Sequence, residues 1–165
     1  MRLKTVLLLV IGTIFSVSAK AQTIYYKGEW REQGNITTLF TCIAEINFTS
    51  DSIVAGKIIW TYQSIDSSDA DPIDFYKNKK GFRAIEYVSG IYHRATGDVL
   101  LKADSIDDKH EIIAPTIYYL KLSTDKTILF GTTTSIGGND AGIQYLHRME
   151  SKGRRNFIRQ MDRLK

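Results

Sequence analysis

Cysteine is almost missing from this chain, with one residue, Cys42, among 165. A single thiol excludes an intrachain disulfide scaffold and any zinc site built from several cysteines. Histidine is scarce too: His93, His110 and His147 stand alone, none two, three or four residues from another, so no zinc motif can be read from them. Gly137-Gly138 lacks both the Lys-Ser/Thr element and the following helix of a phosphate loop and reads as a turn. No metal and no cofactor is expected. What the chain does have is 43% hydrophobic residues, 24% charged residues and 18 aromatics (nine Tyr, seven Phe, two Trp). That is a globular composition, and the length fits one ordinary domain rather than a multi-domain enzyme.

Residues 1–21 read as a secretory leader. Arg2 and Lys4 precede an apolar run from Thr5 to Val17, and Ala19-Lys20-Ala21 is a small-residue cleavage signal, placing the mature start at Gln22. The apolar run is short for a bilayer span of ~20 residues, so no stable membrane insertion is expected after cleavage; a retained anchor is the alternative. The product is expected in the periplasm or secreted. Arg2, Lys4 and Lys20 belong to the leader, leaving 19 basic and 18 acidic residues, a net +1. The basic balance of the whole chain therefore gives no footing for nucleic-acid binding. The remaining charge is uneven, with residues 22–149 at −3 and 150–165 at +4.

Between Thr23 and Met149 the pattern is that of strands. Thr38, Phe40, Cys42, Ala44, Ile46 and Phe48 alternate with the polar Thr41, Glu45 and Asn47, with Leu39 and Ile43 as exceptions. Val54, Ile58, Trp60 and Tyr62 form a second such face, and Phe82, Ala84, Val88 and Tyr92 a third. Strands are expected over 24–31, 38–48, 53–62, 82–93, 99–103, 112–123, 128–134 and 143–149. Short turns separate most of them, and a long polar loop covers 64–80. Eight strands joined by local hairpins predict an all-β antiparallel meander over 22–149, closing into a barrel, with a β-sandwich as the alternative. In the basic segment 150–165, Phe157, Ile158, Met161 and Leu164 fall at helical spacing and predict a short amphipathic C-terminal helix.

The candidate chemistries are few. His110 beside Asp107, Asp108 and Glu111 has the groups for acid–base work, yet reads first as a solvated loop. Asp66, Asp69, Asp71 and Asp74 are hard oxygen donors that suit calcium, without an EF-hand pattern, so calcium there stays open. Cys42, on an apolar strand face, reads as a buried small hydrophobe. The aromatic strands offer the most. Inward positions of a small barrel either fill its core or line a cavity, and Trp30, Trp60, Tyr62, Tyr87, Tyr92 and Tyr119 are the candidate ligand-binding residues.

Gly28-Glu29-Trp30, Gly56-Lys57-Ile58-Ile59-Trp60, the segment 86–92, Tyr118-Tyr119-Leu120-Lys121-Leu122 and Leu129-Phe130-Gly131-Thr132-Thr133 give the chain a layout that resembles a calycin-type barrel, similar to lipocalins and avidins. The resemblance spans nearly the whole mature chain and implies Arg148 stacked over Trp30. No avidin-type biotin residue can be carried over. The leader ending in Ala-Gln resembles exported proteins of Bacteroidetes-type bacteria, whose O-glycosylation pattern Asp51-Ser52-Ile53 and Asp104-Ser105-Ile106 fit. In a eukaryote, Asn35 and Asn47 would head N-glycosylation sequons.

These readings lead to an exported, non-enzymatic binding protein of lipocalin-like shape. It would take a small hydrophobic ligand in the barrel, or a protein or glycan partner on its loops. An exported inhibitor or immunity-type protein is the alternative, and a hydrolytic enzyme using His110 the second alternative.

Overall fold

The structure, a computed structural model, describes residues 21–33, 37–49, 52–66, 78–137, 141–150 and 152–162. Residues 1–20 of the leader, most of the 66–74 acidic loop and Leu164 lie outside the described residues, and among the described residues no helix is long and apolar enough to cross a membrane. Eight strands run in chain order: β1 (Gln22–Glu32), β2 (Thr37–Phe48), β3 (Ile53–Asp66), β4 (Arg83–His93), β5 (Asp98–Asp107), β6 (Thr116–Leu122), β7 (Ile128–Ser135) and β8 (Ala141–Arg148). A helix, α1 (Gly153–Asp162), follows. Every strand pairs antiparallel with its sequence neighbour, and β1 pairs with β8 from Tyr26↔Arg148 to Glu32↔Gly142. The meander therefore closes into a barrel rather than a sandwich. Closure reduces the sheet edge to short one-sided stretches such as 22–25 of β1 and 104–107 of β5.

Alternation in the sequence decides which side chains point inward. On β2, Thr38, Phe40, Cys42, Ala44, Ile46 and Phe48 are all buried; on β3, so are Val54, Ile58, Trp60 and Tyr62. Each Ile, Leu or Val buried this way stabilises the fold by ~1.5–3 kcal/mol. Short turns fix the registers. Gly97 closes β4 to β5 with φ +76°, a left-handed conformation that favours glycine, and its N–H donates to the His93 carbonyl at 2.7 Å. Between β6 and β7, Asp125 accepts from the Ser123 hydroxyl, the Thr127 hydroxyl and the Thr127 N–H.

Most strand ends fall within two residues of the expectation, and three differ by more. β3 runs on to Asp66, into the stretch expected as loop. β5 continues past Ala103 to Asp107, where it pairs with β4 alone (Ile85↔Asp107), since its pairing with β6 ends at Lys102↔Ile117. β6 starts at Thr116, not at residue 112, because the Asp108 carboxylate accepts the N–H groups of His110, Ile112 and Ile113 and folds that stretch into a turn. Helix α1 packs its Phe157 ring against Tyr25, centroids 5.7 Å apart, and Gly153 is buried beneath it. Ile158, expected on the packing stripe, is 45% exposed, because this ten-residue helix meets the barrel along one narrow edge.

The two barrel ends are unlike. Tight connections (49–52, 94–97, 123–127) gather at the end where β1 begins. There Phe48 meets Tyr92 edge-on at 5.1 Å, and the Tyr26 hydroxyl donates to the Lys126 carbonyl at 3.3 Å, plugging the interior. The longer connections, including 67–82 and 108–115, gather at the other end.

Candidate functional site

The half of the interior that faces the longer connections is aromatic and polar. Trp30 enters from β1, Phe40 from β2, and Trp60 and Tyr62 from β3, all at inward positions of their strands. Phe40 is the hub: Trp30, Trp60 and Tyr62 each meet it edge-on, with centroids 5.7, 6.0 and 5.4 Å away. Edge-to-face pairs of this kind contribute ~0.5–1.5 kcal/mol each beyond burial, so the cluster is held as a unit. Trp30 donates its indole N–H to the Thr133 hydroxyl at 2.6 Å and lies flat over Gly142, where a Cβ would come within 2.1 Å of the ring. Glycine is required at 142 for the indole to occupy that place.

Beside this cluster sits a buried carboxylate. Glu86 projects inward from β4 and is 0% exposed. It accepts the Trp60 indole N–H at 3.1 Å, the Tyr118 hydroxyl, and the Thr116 N–H at 3.0 Å. Thr116 opens β6 where β5 has already diverged, so Glu86 ties β3, β4 and β6 together across the gap. Burial pushes its carboxyl up to about 7, against the opposite pull of the Tyr118, Trp60 and Thr116 donors. Burial, reinforced by the neighbouring Glu86 charge, raises the Tyr118 hydroxyl well above its ordinary range.

Gln144 supplies a second buried polar group. It stands across the β1–β8 ladder from Trp30, donates its amide N–H to the Cys42 sulfur at 3.1 Å and to the Glu29 carbonyl at 3.3 Å, and is 0% exposed. Its amide oxygen is buried with no donor. Leaving such an acceptor unpaired costs ~1–3 kcal/mol, a cost that a guest with an N–H or O–H would remove.

Of the six residues that the sequence marks for a cavity, Trp30, Trp60 and Tyr62 come together here. Tyr92 points inward but at the plugged end, against Phe48. Tyr87 and Tyr119 are on the outer face: the Lys57 ammonium lies 5.7 Å from the Tyr87 ring, and Tyr119 is 54% exposed. Strand phase explains both, since Ala84, Glu86 and Val88 take the inward positions of β4 and Tyr118, Leu120 and Leu122 those of β6. Arg148 does not stack over Trp30; it is exposed and stands opposite Tyr26, four residues along the ladder, while Gln144 is the partner opposite Trp30. Phe40, Glu86, Tyr118 and Gln144 are the residues that sequence reasoning missed. The available signal was a charged or amide side chain at an inward position: Glu86 between Ala84 and Val88, Gln144 between Gly142 and Leu146.

The other candidates have local roles. His110 stacks on Phe82 at 3.9 Å, and its acidic neighbour Asp108 is engaged as a turn cap. Cys42 is buried and free, with burial pushing its thiol up to about 12. Among the described residues no three His, Cys, Asp or Glu side chains are grouped to hold a metal. On the outer surface, a groove of about 660 Å³ runs beside α1, lined in part by Lys27, Ile59, Arg83, Tyr145, His147 and Gln160.

Comparison with protein-family models, with curated proteins and with solved structures finds no match for this chain.

Proposed function

We propose that this is an exported, non-enzymatic binding protein of calycin-like type, which holds one small, largely apolar guest in the interior half facing the longer connections. The observation that carries this reading is the buried, unpaired Gln144 amide oxygen beside an aromatic cluster. A core built for stability alone gains nothing from an acceptor left without a donor. Trp30, Phe40, Trp60 and Tyr62 would supply apolar walls, and Gln144 and Glu86 would orient a guest bearing an N–H or O–H group. The 108–115 connection, which sets its own Ile112 into the core, would be the element that moves for entry.

The test uses N-phenyl-1-naphthylamine, a neutral dye with one N–H donor, excited by energy transfer from Trp30 and Trp60. Saturable one-to-one binding is expected, weakened in Gln144→Leu and unchanged in Tyr92→Phe at the plugged end. No saturable transfer, or binding indifferent to Gln144, rules the site out.

A second reading rests on the groove beside α1 and the exposed Arg154, Arg155 and Arg159 of that helix. There the protein would act as an inhibitor or immunity-type protein that docks an acidic partner. A complex lost on changing the three arginines to alanine, with Gln144→Leu harmless, would favour it.

A further inference from the structure

The outer face of β6, β7 and β8 breaks the pattern of the remaining barrel surface. Outward positions of β1, β3 and β5 carry charges, such as Lys27, Glu29, Lys57 and Lys102, while the exposed Ile91 of β4 and Ile53 of β3 extend the apolar row that passes through Leu100 to Tyr119. The strands β6–β8 contain only two charged residues besides His147. Lys121 is paired with Asp98 at 2.8 Å, and Arg148 lies at the barrel's end. In place of charge the face carries Tyr119, Phe130, Ile143 and Tyr145, joined by Leu100 of β5, which stands directly opposite Tyr119 in the ladder. Their exposures run from 38% to 54%. The Phe130 and Tyr145 rings are neighbours, 6.5 Å apart, across the β7–β8 ladder.

We propose that this face is the interface between two copies of the chain. On this face β6, β7 and β8 each pair on both sides, so a partner here packs against the sheet rather than adding a strand. Five side chains exposed to this extent offer about 450 Å² of apolar surface, taking ~200 Å² for a whole large side chain. One side of a standard interface buries ~800 Å², about 65% of it apolar in homodimers, which is close to that figure. Charge settles the choice of occupant. A face without net charge meets itself with no like-charge repulsion, and in a two-fold dimer every apolar residue has an apolar counterpart. An anionic membrane would need a basic rim around the face, whereas the basic cluster of the described residues is on α1, which packs against β1 and β2 and comes near the face only at Tyr145, across the groove.

The experiment is sedimentation velocity on the mature chain from sub-micromolar to high-micromolar concentration, with Phe130→Arg and Tyr119→Arg beside the wild type. A species of twice the chain mass is expected, and each arginine should move its midpoint at least about tenfold toward higher concentration. Circular dichroism checks that the barrel is intact; should an arginine variant fail to fold, Tyr119→Thr and Tyr145→Thr carry the same test with residues suited to strands. A wild type that is monomeric throughout overturns the proposal. So does a dimer indifferent to every one of these changes, or a monomer whose β6–β8 face is covered by a different protein.

Discussion

Glu86 couples the stability of the barrel to pH. Its carboxyl is raised from 4.5 to about 7, chiefly by burial. At ~1.36 kcal/mol per pH unit, that difference amounts to about 3 kcal/mol. The sign follows from proton counting. Between those two values the folded chain holds a proton that the unfolded chain has released. The contribution is therefore complete below about 4.5, falls as pH rises, and is gone once pH passes about 7. Glu86→Gln is neutral throughout and deletes this dependence. It also carries a constant cost, because an amide nitrogen must face one of the three donors that now converge on the carboxyl oxygens, worth ~1–3 kcal/mol. Urea unfolding at closely spaced pH values, followed by Trp30 and Trp60 emission, reads both effects. The wild type should lose about 3 kcal/mol across the window relative to Glu86→Gln. Parallel curves for the two proteins would show that Glu86 holds no extra proton in the folded chain across this window. The acidic limb is separate: Ser123 and Thr127 pull Asp125 down to about 2, so its contribution is lost only as pH falls below its ordinary value.

Three further outcomes are expected. Gly142→Ala must displace the Trp30 indole, costing ~1–3 kcal/mol and shifting tryptophan emission; an unchanged spectrum and melting temperature would show that the indole does not lie over that backbone. Asp108→Ala removes three N–H acceptor contacts, so hydrogen exchange at Ile112 and Ile113 should accelerate while β2 and β3 amides stay protected; equal rates would deny Asp108 its capping role. The Cys42 thiol, pushed up to about 12 by burial, should react with a thiol reagent only at the rate of unfolding, and rapid labelling of native protein would contradict its placement.

The fold was largely legible because period-2 alternation survives in a closed barrel whose two faces see different solvents. β2 shows why this works: every even position from Thr38 to Phe48 is buried. Its exceptions were informative as well. Leu39 falls at a register shift, and Ile43 belongs to an outward ladder, Ile43↔Ile59↔Ile85, in which Ile59 and Ile85 are buried. Where strands pair on one side only, the pattern fails. Asp104–Asp107 are too polar to read as strand, yet β4 still recruits them. The site was half legible. Large aromatics mark the interior, but their number says nothing of phase, which sends Tyr118 inward and its neighbour Tyr119 out. Glu86 and Gln144 act through partners 26 to 115 residues away, and only the closed sheet brings such positions together.

A guest held in the loop-side half of the barrel should stay with the protein through gentle purification. Native mass spectrometry of the protein purified from its own host tests it most directly, comparing gentle and denaturing ionisation of the wild type and Gln144→Leu. The expected species is a chain beginning at Gln22 that carries one discrete additional mass, released on denaturation and depleted in the variant. A bare mature mass under gentle conditions, identical in both proteins, would contradict it.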